Sequence, residues 1–112
     1  MSKFDEAIVD YQAELEKTGI SIDETLLKAV AKGLGPSIYN ADSSKVSSSD
    51  PEEIARVRNN FLIGKLGLPD GPELDTAIQE VVETLGASNR NKYRAIFYAL
   101  LVKKFKKEDF YA

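Results

Sequence analysis

The chain predicts an all-α fold: a single compact domain of about five helices with the C-terminal helix central. Three observations carry that reading. Apolar residues recur at helical spacing in five separate stretches. Serine, aspartate, proline and glycine punctuate those stretches at the ends where helices start and stop. No segment alternates apolar and polar residues long enough for a convincing strand, and no Asn-Gly or Asp-Gly pair joins two such segments. At 112 residues, with 43% hydrophobic and 29% charged composition, the chain fits one globular domain over 1–112.

The first helix is marked by Phe4, Ile8, Tyr11 and Leu15 on one wall, with Asp5, Glu6, Asp10, Glu14 and Glu16 elsewhere. Ser2 is placed to cap it and Gly19 to stop it. A second helix begins after Ser21 or Asp23, carries Leu26, Leu27, Val30, Ala31 and Leu34, and ends at Gly33 and Gly35, with Pro36 preventing resumption. A polar, Ser-rich loop follows over 36–49, held by Ile38, Tyr39 and Val46. Asp50, Pro51 and Glu53 then read as a helix start, with Glu53 reaching back as in a capping box. That third helix is expected to run through Ile54, Val57, Phe61, Leu62 and Leu66 to Gly67. A fourth starts at Pro72, presents Leu74, Ile78, Val81, Val82 and Leu85, and stops at Gly86. The fifth is expected from Ser88 to about Phe105. Its apolar residues cover about two-thirds of the circumference, which places it centrally, and the strip Lys92, Ala95, Ala99, Lys103 and Lys106 is expected to face water.

The sequence contains neither cysteine nor histidine. Disulfides, thiol nucleophiles, Cys/His zinc sites and Ser-His-Asp triads are therefore excluded. The Gly33–Gly35 pair lacks the third glycine of a dinucleotide fingerprint. The run Asn40, Asp42, Ser44, Ser48 lacks the glycine and glutamate of a calcium loop. Glu52 and Glu53, like Glu80 and Glu83, are expected to be solvated. No catalytic residue, metal or cofactor is expected. The longest uncharged apolar run, Ala95 to Val102, is far below the about 20 residues of a membrane span. The acidic residues in MSKFDEAIVDYQ do not suit a signal peptide, so a cytoplasmic protein is expected.

Charge is segregated along the chain. Basic against acidic residues number 5 and 11 over 1–55, 3 and 5 over 56–87, and 7 and 2 over 88–112. The basic end supplies two candidate sites. Ser88, Asn89, Arg90, Lys92 and Arg94 set basic side chains at an expected helix N-terminus, where the dipole already carries positive charge. They could hold a phosphate or phosphodiester through free amides and guanidinium forks, or pair with carboxylates of the acidic half such as Asp5, Glu14 or Asp42. Lys103, Lys106 and Lys107 form a basic surface at a helix C-terminus, where the dipole favours cations in any case.

The glycine pair running into GPSIYNADSS, the segment RVRNNFLIGKLGL and the ending SNRNKYRAIFYALLVKKF resemble a family of small bacterial proteins of unknown function, DUF2853. The resemblance covers nearly the whole chain. It implies a bacterial cytosolic helical protein and brings no activity, substrate or catalytic residue. The expected function is that of a binding or interaction protein without catalytic activity, its partner another protein or a second copy. The alternative is nucleic-acid or phosphate-ligand binding through the basic C-terminal helix.

Overall fold

A computed structural model describes residues 2–40, 43–86, 88–89 and 92–111. The fold is all-α. Five α-helices occur among the described residues: α1 (Lys3–Thr18), α2 (Glu24–Leu34), α3 (Pro51–Arg56), α4 (Pro72–Leu85) and α5 (Arg94–Lys104). Local chemistry sets most of their ends. The Ser2 hydroxyl accepts from the Asp5 amide at 3.1 Å, and α1 stops where Gly19 adopts φ 72°, a left-handed conformation that favours glycine. Asp23 caps α2 by accepting from the Thr25 amide at 3.3 Å. Pro72 and Gly86 bound α4 as expected. The described helices include none long and apolar enough to cross a membrane.

The C-terminal helix is central. Phe97, Leu101, Ile96 and Val102 have no solvent exposure, and α2 and α4 pack against α5. Two expectations about this helix are corrected. It starts at Arg94, not Ser88, because the preceding residues are spent elsewhere. Asn89 turns back to α4, its Nδ2 donating to the Leu85 carbonyl at 3.0 Å and its amide to Gly86 at 2.9 Å. Residues 92–94 pair with the Ser-rich segment: Val46 N donates to Lys92 O and Arg94 N to Ser44 O, each at 2.8 Å. This short antiparallel contact, centred on Lys45 and Tyr93, is an isolated bridge. The strip expected to face water is also largely buried, since Lys92, Ala95 and Ala99 lie inside and only Lys103 and Lys106 are exposed. The two alanines are small enough for neighbouring elements to close over them.

The third helix does not continue as α. After Arg56 the chain widens into a π-helix over Val57–Lys65. Its buried residues Val57, Phe61 and Leu62, with Leu66 just beyond, explain the winding. At 3.6 residues per turn they would spread over about half the circumference. At the about 4.4 residues per turn of i→i+5 bonding they fall within about a quarter of it, and all reach the core. The Leu66 amide bonds to Phe61 O at 2.9 Å in that register. Phe61 then stacks on Tyr98 of α5, ring centroids 3.9 Å apart.

The 36–49 loop begins with a 3₁₀ turn, Gly35–Tyr39, and a second one, Glu108–Tyr111, follows α5. Ile38 and Val46 are buried anchors of the loop, whereas Tyr39 is exposed.

Candidate functional site: the polar cluster at the start of α5

Buried charge concentrates at one place. Glu14, Glu53 and Lys92 are the buried charged residues among those described, and each lies against the approach to α5. Packing such charges without partners would cost at least several kcal/mol each, so their contacts define the region.

Arg94, the first residue of α5, is its hub. Its Nη2 bonds to Glu53 Oε1, its Nε donates to Ser43 O at 2.7 Å, its Nη1 to the Tyr98 hydroxyl at 2.9 Å, and Nη2 also reaches Lys45 O at 3.4 Å. The two charged side chains are 14% and 10% exposed. Glu53 Oε2 takes a second guanidinium, Arg56, at 2.8 Å. Burial alone would raise the Glu53 carboxyl, but hydrogen bonds from Arg56 and Arg94 outweigh it and hold the group below its ordinary value. Glu53 is thus a correction on two counts: it is buried where solvation was expected, and it bonds to arginines instead of the Asp50 amide, which donates to Ser47 O.

The other members sit on the α1 side. Glu14 accepts from Asn89 Nδ2 at 3.1 Å. The Lys92 ammonium, 2% exposed, donates to Asn89 O at 2.5 Å, and burial lowers its pKa. Tyr93 meets Tyr11 edge to face at 5.1 Å, with the Lys45 ammonium over its ring at 5.4 Å. Tyr11 is 1% exposed, and its hydroxyl has no hydrogen-bond partner among the described residues. Burial pushes its pKa up to about 12.

The expected site residues therefore divide. Asn89, Lys92 and Arg94 are brought together, and all three make internal contacts. Ser88 is exposed in a turn. Arg90, with Asn91, lies outside the described residues. Lys103, Lys106 and Lys107 follow one another around the end of α5: Lys103 donates to Ser21 O at 3.2 Å, Lys106 is exposed at φ 55°, and Lys107 is half-buried. The carboxylate opposite Arg94 belongs to the acidic half of the chain, as in the pairing alternative, but it is Glu53 and not Asp5 or Glu14; Asp42 lies outside the described residues. Sequence reading missed Glu53 and Tyr98 as parts of this cluster. The available signal was that Tyr98 stands one helical turn after Arg94.

Chemically, the cluster is built to hold the segment 43–46 and α3 onto α5. Among the described residues, no group of three or more acidic side chains is arranged to hold a metal ion. Residues 10–109 match the family model described as a protein of unknown function, DUF2853, and the chain belongs to that family. No curated protein matches it.

Proposed function

We infer that this member of DUF2853 is a small cytosolic binding protein that engages another polypeptide and performs no catalysis of its own. The observation that carries the reading is the fate of the arginines. Each described arginine is paired with carboxylates of the same chain: Arg94 and Arg56 with Glu53, and Arg58 with Asp70 and Asp75. Guanidinium forks are the residues best suited to phosphate and nucleic acid. Here they serve the scaffold, which favours a protein partner over an anionic polymer.

The test is capture from the source cell with the full-length protein as bait, with and without nuclease, read by mass spectrometry. A defined protein partner retained after nuclease treatment is the expected result. Loss of all partners on nuclease treatment, together with binding of a short oligonucleotide that weakens with salt, would replace this reading with the nucleic-acid alternative.

A further inference from the structure

At the end opposite the start of α5, the last 3₁₀ turn and the beginning of α2 enclose a cleft of about 270 Å³. Its floor is Leu26 and Tyr111; its rim is Asp23, Lys103, Glu108 and Asp109. The volume falls just under the range of about 300 to 1,000 Å³ typical of sites for drug-sized molecules, and suits a single extended side chain better than a cofactor.

The charges around it are unequal in their commitments. The cleft's own cation, Lys103, already donates to Ser21 O at 3.2 Å. The Thr25 and Leu27 amides at the start of α2 are taken by the side chain and backbone oxygens of Asp23. By contrast, the exposed carboxylates of Glu108 and Asp109 carry no ion pair or side-chain hydrogen bond among the described residues. The two residues that follow them are aromatic. Phe110 is 49% exposed and meets Tyr111 edge to face at 5.0 Å, while Tyr111 already accepts the Lys65 ammonium over its ring at 5.9 Å. Carboxylates beside an aromatic and aliphatic floor match an ammonium carried on an aliphatic stem. An exposed phenylalanine beside the cleft supplies contact that a free amine would leave unused and a polypeptide would cover.

We propose that this cleft takes a lysine side chain of a partner polypeptide, its stem on Leu26 and Tyr111 and its ammonium between Glu108 and Asp109. The proposal rests on the binding reading above and names the chemistry of the partner. It is tested on the full-length protein by amide chemical shifts, using the peptide acetyl-Gly-Leu-Lys-Leu-Gly-amide, the same peptide with norleucine for lysine, and cadaverine. The lysine peptide is expected to shift the amides of Leu26 and of Glu108 to Tyr111, the norleucine peptide to leave them unmoved, and E108Q/D109N to weaken binding at least about tenfold while the rest of the spectrum is kept. No shift at those amides, equal shifts with norleucine, or shifts with cadaverine alone would overturn it. Cell capture decides the two readings separately: a partner retained equally by wild type and E108Q/D109N overturns the cleft and leaves the binding reading standing.

Discussion

Replacing Arg94 with methionine keeps the apolar stem and removes the guanidinium that ties α3, the segment 43–46 and α5 together. Three losses set the magnitude. The ion pair with Glu53 joins side chains only 14% and 10% exposed, and breaking a pair so buried costs about 3 to 5 kcal/mol when the remaining charge is stranded. Here the charge is not stranded, because Arg56 stays on Glu53 at 2.8 Å, so the loss falls to about 1 kcal/mol. The hydrogen bonds to Ser43 O and Tyr98 Oη contribute about 1 kcal/mol each. The sum expected is about 3 kcal/mol, a large share of the 5 to 15 kcal/mol typical of a domain, and a fall in Tm of roughly 12 °C. Urea melts followed by far-UV circular dichroism measure it. The same change at the exposed Arg56 is expected to do much less. A loss below about 1 kcal/mol for R94M would refute the assignment of Arg94 as the hub. The pair also fixes a pH dependence. Because the folded Glu53 carboxyl lies below its unfolded value of 4.5, its contribution is present above about pH 4.5 and is lost as pH falls through the lowered folded value. The acid limb of stability should flatten in E53Q.

Truncating Phe97 or Leu101, both without exposure, to alanine is expected to cost about 2 to 5 kcal/mol in the same melts, and a loss below about 1 kcal/mol would contradict the central placement of α5. Tyr11→Phe removes a hydroxyl that lacks a partner among the described residues, so stability should be unchanged or rise by up to about 1 kcal/mol; a clear loss would reveal a partner for that oxygen. In wild type, burial raises the Tyr11 pKa to about 12, so its contribution is complete below about pH 10 and disappears as pH rises through 12; this part of the alkaline loss should be absent in Y11F. Hydrogen exchange should be fast at Ser47 and Ser49, which are exposed, and slower at Val46, whose amide is bonded to Lys92 O. Equal protection along the segment would contradict the pairing with α5.

What could be read in advance followed the range of the forces involved. The ends of α1, α2 and α4 depend on residues within one turn, so Ser2, Asp23 and Pro72 announced them. The start of α5 depends on partners far along the chain, on Ser44, Val46 and Glu53, and no local pattern at Ser88 shows that Asn89 will turn back to Leu85. The π-helix has no distinct local signature, because Val57, Phe61, Leu62 and Leu66 also pass for a broad face at a 3.6-residue period, although their spacing suits a wider one. Glu53 looked solvated because a helical wheel reports which face a residue is on and not what covers that face. The four residues Glu108–Tyr111 make too short a turn to show any period, so a cleft wall there had no sequence signature.

The wide coil of Val57–Lys65 has a consequence for how this chain can change over evolution. In an ordinary helix, removing one residue rotates everything beyond it by about 100° and carries the apolar face out of the core. In a coil with a surplus residue per turn, removing one of the exposed pair Asn59 and Asn60 lets the ring tighten to ordinary winding while Leu62 and Leu66 keep their direction. Relatives of this protein should therefore differ by single-residue gaps at this point and nowhere else within their helices. Within the helices, this stretch is where the length of the chain is negotiable.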